Sequence, residues 1–355
     1  MKIGILTFHR AHNYGAVLQC YALQEVLKGM GHEVEVIDYR QPAIEKHYAS
    51  SWKLRWFLYK FIKVWKMYSY LHLLYDQAKL RKKFLCFSDK YLNLQNKCAS
   101  SYIPDNYDYY VIGSDQLFNI EITDGLDPVY SGEKIKCYGN KLIGYAISSN
   151  QESIKEISQN EWNEIFNRFT SISFREKALA DLLFRTYGKK VDICLDPTLL
   201  TDKKMWDKIS SDKQIIKDCI VVYEVRWNEG EEKTLINKAS NFAKKHKMEV
   251  VNLSQMKYTV EEWVLYIKYA KCVFTSSFHA SVFALIFNRP LYSFVLNDGR
   301  DSRYVDLLNS IGASNCLKNL SDSIDKLPVM DFEKIHYRLE LLRQDSINYL
   351  YHNIK

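Results

Sequence analysis

Apolar positions in this chain switch between two periods. Short runs rich in Val, Ile and Tyr, strand-like in composition, are each followed by a stretch whose apolar residues recur every three or four positions, as on one face of a helix. Residues 2–8 and 33–38 bracket one such stretch (Val17, Leu18, Tyr21, Ala22, Val26, Leu27), so the chain opens with a βαβ unit. Strand-like runs follow at 109–113, 142–147, 171–174 and 191–196. Asp196-Pro197-Thr198 then breaks the pattern, and beyond a charged stretch from Lys203 to Lys217 a second series begins, with runs at 219–225, 249–254, 272–276 and 291–295. A helical pattern over 331–352 closes the chain. Alternation of this kind builds parallel sheets covered by helices on both faces. It predicts two doubly wound, Rossmann-like α/β domains, residues 1–200 and 201–355, facing each other across a cleft where strand ends present their ligand contacts.

Composition narrows the class. With 355 residues, 47% hydrophobic and 26% charged, the chain is an ordinary globular protein too long for one typical domain. Its first residues run straight into a strand without the features of a signal peptide, and no run of about 18 apolar residues occurs. The eight cysteines are scattered and form no Cys-x-x-Cys pair, as expected of a reduced, cytoplasmic protein without structural zinc. No compact group of Asp, Glu and His at ligand spacing argues for a metal. Walker, Gly-x-Ser-x-Gly, His-Glu-x-x-His and Gly-x-Gly-x-x-Gly motifs are absent, so NTPase, α/β-hydrolase, zincin and dinucleotide readings lack support.

The net charge of +7 is unevenly placed, its excess conspicuous between Trp52 and Lys83 within an insertion at about 43–98. On an ideal helix Lys53, Arg55, Lys60, Lys63 and Lys66 fall within one arc of about 160°, shared with Trp52, Trp56 and Tyr59. Leu54, Phe57, Leu58, Phe61, Ile62, Val64, Trp65 and Tyr68 fill the opposite side. A basic face carrying tryptophans suits an anionic membrane surface; the competing reading is a core helix with a solvated basic face. The basic residues do not continue as a stripe, so nucleic acid is not expected.

Candidate chemistry gathers at predicted strand ends. After the run at 272–276 come Ser277, Phe278 and His279 and then an apolar helix stopped by Pro290, which places His279 in a first helical turn where unpaired backbone N–H groups attract anions. A capping or packing histidine is the alternative. Asn13, Tyr14 and Gly15 open the first helix. Gly113-Ser114-Asp115-Gln116-Leu117-Phe118-Asn119 offers a flexible glycine and side chains able to bond sugar hydroxyls, or an ordinary helix cap. Arg175 stands at a strand-to-helix junction, where its fork matches a carboxylate or phosphate, or else bridges to Glu176 or another acid. Arg300 and Arg303 follow the last predicted strand.

Taken in order, Asn13-Tyr14-Gly15-Ala16-Val17-Leu18-Gln19, Gly113-Ser114-Asp115-Gln116, Tyr145-Ala146-Ile147-Ser148, Ser173-Phe174-Arg175-Glu176, Leu195-Asp196-Pro197-Thr198-Leu199-Leu200 and Ser277-Phe278-His279-Ala280 make the chain resemble the polysaccharide pyruvyl transferase family over roughly residues 2–310. The resemblance implies a glycosyltransferase-B-like fold and transfer of the enolpyruvyl unit of phosphoenolpyruvate to two hydroxyls of one hexose, giving a pyruvate ketal and phosphate. No cofactor is implied beyond phosphoenolpyruvate as donor substrate. His279 is then the expected acid and base, with Arg175, Ser277, Arg300 and Arg303 on the donor side in the C-terminal domain. Asn13, Tyr14, Asp115, Gln116 and Asn119 are the expected acceptor contacts in the N-terminal domain. One branch of the family carries arginine two positions before the histidine; here that position is Ser277, so another cation must replace it. His9 and His12 are the alternative acid/base pair. The family's acceptor is a hexose of a growing surface polysaccharide, often lipid-linked, which accords with a membrane-facing role for Trp52, Lys53, Trp56, Lys60 and Lys63 and with a site at the inner face of the membrane. The rivals are a nucleotide-sugar glycosyltransferase of the same fold and a non-catalytic, membrane-surface glycan-binding module.

Overall fold

The computed structural model describes residues 1–49, 64–95, 103–136, 141–209, 213–225, 234–255, 257–297 and 301–355. Trp52, Lys53, Trp56, Lys60, Lys63 and Arg300 lie outside them. The chain divides into two compact units. One comprises Met1–Ser173 and Leu183–Val191, the other Phe174–Leu182 and Asp192–Lys355.

The first sheet contains β1 (Lys2–Leu6), β2 (Glu33–Val36), β3 (Tyr109–Asp115), β4 (Leu142–Ile147), β5 (Ser171–Phe174) and β6 (Asp192–Ile193), in the order β2-β1-β3-β4-β5-β6. The pairings of β1 with β2 and β3, and of β3 with β4, are parallel; Ile3 stands opposite both Val34 and Tyr109. Ile3, Ile5, Val111, Ile112 and Ile143 are fully buried, which is why these strands read as unbroken apolar runs. Gly113, the last residue of the strand run expected from sequence, lies within β3 at φ +135°, where a Cβ would lie 1.9 Å from the Tyr145 carbonyl oxygen. Only glycine allows β3 to approach β4 this closely.

The second sheet contains β7 (Ile220–Tyr223), β8 (Val250–Asn252), β9 (Cys272–Thr275), β10 (Leu291–Val295) and β11 (Leu317–Asn319), all parallel, in the order β11-β10-β9-β7-β8. On one face Ile220, Val222, Phe274 and Phe294 pack with Leu235, Ala239 and Phe242 of the helix Thr234–His246. A second apolar group is an aromatic ladder: Tyr223 meets Trp263 at 5.3 Å, Trp263 meets Phe283 at 5.4 Å and Phe283 meets Trp206 at 4.6 Å, all edge-on. The closing helix is Phe332–Asn353; within this unit Ser346 Oγ accepts from Leu195 N and Arg343 Nε donates to the Leu199 carbonyl.

Each sheet reverses its strand order once, between β1 and β3 and between β7 and β9. The carboxyl ends of strands at such a reversal leave a crevice between diverging loops, the usual ligand position in an open α/β sheet.

Candidate active site

In the second unit the reversal is built around the elbow after β9. The Thr275 hydroxyl donates to the Tyr223 carbonyl of β7 and accepts from Ser277 N at 2.9 Å, tying the two strand ends together. Ser277 takes an extended backbone and caps the helix Phe278–Ile286, its Oγ accepting from Ala280 N. The helix is mostly apolar and buried except at His279. His279 lies one turn before Phe283, so the aromatic ladder that anchors Phe283 also fixes the helix end that carries the imidazole.

Beneath His279 lies a buried ionic cluster. Nε2 of His279 is 3.5 Å from Asp196 Oδ2, an ion-pair distance too long for a good hydrogen bond, and this buried nitrogen makes no hydrogen bond among the described residues. Asp196 has no exposed side-chain surface. Its Oδ1 accepts from Thr198 N at 3.0 Å and Thr198 Oγ1 at 2.6 Å, capping the short turn Pro197–Leu199, while Oδ2 accepts from Arg175 Nη1 at 2.6 Å. Burial alone would raise its carboxyl, but His279, Arg175 and the Thr198 hydroxyl hold it well below the usual carboxylate range. Arg175 Nε donates to Glu176 Oε1 at 3.0 Å, and the guanidinium lies 4.6 Å from the centre of the Phe278 ring. Thus Arg175, expected from sequence as a donor-binding fork, has its charge engaged by Glu176 and Asp196. It positions the carboxylate that faces His279.

Arg303 sits in the first turn of the helix Ser302–Ser310, following β10, the strand next to β9. Asp301 closes the loop before it, accepting from Leu296 N at 2.8 Å and Asn297 N at 2.6 Å. Across the reversal from the elbow stands a residue the sequence did not single out. Glu224 follows β7, and because Tyr223 pairs with Thr275 it comes into register with Ser276. Burial pushes its carboxyl from an ordinary 4.5 up to about 7. Below about pH 4.5 the folded and unfolded states both hold this proton; as pH rises towards 7 the unfolded chain releases it first, so the group reduces stability above neutrality. Glu224→Gln is expected to unfold at the same temperature as wild type at pH 4 and at a higher one at pH 8, and a constant difference across that range would refute the assignment.

In the first unit the expected acceptor residues gather in part. Asn13 caps the helix Tyr14–Gly29, Oδ1 accepting from Ala16 N, and Tyr14 is fully buried, 5.2 Å from Phe84. Asp115 ends β3. Gln116 and Asn119 bond each other through Oε1 and Nδ2 at 2.8 Å, and Asn119 also caps the turn Ile120–Thr123. Thr7, Gln19 and Ser114, not foreseen, lock the ends of β1 and β3 together: Thr7 Oγ1 donates to Ser114 O, Gln19 Nε2 to Thr7 Oγ1, and Ser114 N to Gln19 Oε1. His9 is buried with its ring nitrogens 3.1 Å from Thr7 O and from Asp38 Oδ1, and Arg10 holds both Asp38 oxygens at 2.7 Å. His12 stacks on Phe84, and burial, helped by Arg81, lowers it to about 4. His12 is therefore little protonated at neutral pH, and both ring nitrogens of His9 face partners of their own.

Among the described residues no group of three or more His, Cys, Asp and Glu is placed to hold a metal, and no helix is long and apolar enough to cross a membrane.

Fold and site together define an α/β protein of two parallel-sheet units, with a histidine–carboxylate pair at a helix N-terminus beside the carboxyl ends of the second sheet's strands. The family model of the polysaccharide pyruvyl transferases matches residues 13–298, and the chain belongs to that family. No curated protein matches it. Similar solved structures include the UDP-GlcNAc 2-epimerase of Methanocaldococcus jannaschii in complex with UDP-GlcNAc and UDP (11% identity, 97% of this chain and 93% of that one, TM-score 0.41). S. aureus MnaA with UDP (10% identity, 100% and 90%, TM-score 0.46) and Acinetobacter baumannii MurG (8% identity, 99% and 94%, TM-score 0.38) are others.

Proposed function

We propose that the protein transfers the enolpyruvyl group of phosphoenolpyruvate to two hydroxyls of a hexose in a surface-polysaccharide repeat unit, forming a pyruvate ketal and releasing phosphate. The observation that carries this reading is the Asp196–His279 pair at the elbow, found in a chain of this family. An imidazole backed by a buried carboxylate can take a hydroxyl proton and later return it to a leaving group. The donor is a small dianion or trianion, and the first-turn N–H groups beside His279 would offer it a site; Arg303, in the first turn of the helix that follows the neighbouring strand, would supply the cation that Ser277 cannot. Arg175 acts through Asp196. Asp115, Gln116 and Asn119, at the reversal in the first sheet, supply polar contacts of the kind that recognise sugar hydroxyls. The basic-aromatic segment with Trp52, Lys53, Trp56, Lys60 and Lys63 would bring the protein to an anionic membrane carrying a lipid-linked acceptor.

Thermal unfolding with phosphoenolpyruvate, phosphate or nucleotide sugars tests the donor. A ligand held at about 100 times its dissociation constant stabilises the native state by about 2.7 kcal/mol, enough for a clear shift. Phosphoenolpyruvate is expected to give it; a shift with nucleotide sugars alone would replace this reading by a glycosyltransferase.

A further inference from the structure

We propose that Glu224 is a second catalytic group of this site, donating the proton that converts the enol methylene of the donor into a methyl group. The inference rests on the pyruvyl-transfer reading and adds to it the partner that the chemistry requires.

Three observations place Glu224. It is the first residue past β7 and, through the Tyr223–Thr275 pairing, lies on the opposite side of the strand-order reversal from the elbow that carries His279. The main chain is held on both sides: the Tyr223 carbonyl accepts from the Thr275 hydroxyl of the elbow, and Glu224 N donates to Ser254 Oγ at 2.7 Å, in the turn after β8. Ser254 is fixed in turn by Asn252, whose Oδ1 accepts from Ser254 N at 2.9 Å. The carboxyl itself is half-buried and has no hydrogen-bond or ion-pair partner among the described residues. A partly desolvated carboxyl whose anion has no partner among the described residues keeps its proton, which is the state a proton donor needs.

Ketal formation needs two proton-handling groups, and a single histidine cannot fill both places at once. In the first half, the C=C electron pair of the enolpyruvyl group takes the Glu224 proton at C3. The acceptor oxygen forms a bond to C2, and its proton passes to His279. In the second half the bond from C2 to the phosphate oxygen breaks, and phosphate leaves with the electron pair and the proton held by His279. The second hydroxyl then closes the ketal on C2, and its proton restores Glu224. Every proton is accounted for, and both residues end as they began. Two groups carried on the two strand ends that flank one crevice can divide the acid and base roles between them.

The test uses the whole protein with phosphoenolpyruvate and a diol-bearing hexose acceptor that the wild type turns over. Glu224→Gln is expected to lower kcat by about 10²-fold or more while KM for phosphoenolpyruvate and the thermal shift it induces stay within about threefold and one degree. Glu224→Ala should lose activity likewise and regain at least about tenfold of it when acetate supplies the missing acid. A Glu224→Gln enzyme within about threefold of wild-type kcat overturns the inference and leaves the pyruvyl-transfer reading intact. Loss of the phosphoenolpyruvate shift in that variant makes Glu224 a binding residue and equally overturns it. A wild type that binds nucleotide sugars and makes no ketal from phosphoenolpyruvate with any acceptor overturns both.

Discussion

His279→Ala is expected to lower turnover by at least about 10²-fold while the protein still folds and still responds to phosphoenolpyruvate. The size follows from the place of the residue. Its helix is buried everywhere else, so the imidazole is the one side chain of that helix open to a ligand. Its Nε2 is desolvated and without a hydrogen bond among the described residues, which is costly for a polar atom unless a ligand or water completes it. The fold should survive because Phe283, not His279, anchors the helix through Trp206 and Trp263. Donor binding should survive because the helix N–H groups belong to the backbone. Steady-state kinetics with the unfolding midpoint measured in parallel separate these claims, and turnover within about threefold of wild type would remove His279 from the mechanism.

The parallel strands were legible because burial on both faces writes them as short apolar runs. β3 exceeded its expected end because Ser114 and Asp115 continue the ladder as polar residues, Asp115 opposite Ile147, and polar strand ends look like loops in sequence. β6 shrank to Asp192–Ile193, and Asp196 caps a turn instead of extending the strand. β11 was missed: Leu317–Asn319 has a single apolar residue and only partial burial, so no periodicity marks it. The site shows the same division. The elbow at Ser277 and His279 could be read locally, since a hydroxyl cap before an apolar helix is a contiguous signal. Asp196 could not, because Arg175 lies 21 residues before it and His279 is farther still along the chain. Arg175 had two readings in the sequence, fork or salt bridge, and only tertiary packing decides between them by bringing Glu176 and Asp196 to the guanidinium. Glu224 carries no motif at all; what distinguishes it is its partial burial at a strand end held by the turn after β8, which only the folded chain creates.

Asp196→Ala is expected to destabilise the protein by about 3–5 kcal/mol, the largest stability loss for a single substitution in this cluster. Both Asp196 and Arg175 are withdrawn from water, so removing the carboxylate leaves a buried guanidinium with less compensation than its desolvation requires. The turn Pro197–Leu199 also loses its cap, since Oδ1 serves both Thr198 N and Thr198 Oγ1. Asp196→Asn keeps an acceptor for Thr198 and should cost less, yet it removes the charge that faces His279, so activity should fall even where stability is largely retained. The pH dependence has a definite sign. The folded-state carboxyl titrates below its ordinary value of 3.8, so the stabilisation is complete above that value and is lost as pH falls through the lower folded-state value. The gap between wild type and Asp196→Asn in chemical denaturation should therefore be constant from about pH 5 to 8 and shrink below about pH 4. A gap that persists undiminished at pH 2, or an alanine variant within about 1 kcal/mol of wild type at pH 7, would mean that Arg175 and Asp196 do not support each other and that the histidine lacks the buried charge on which its role depends.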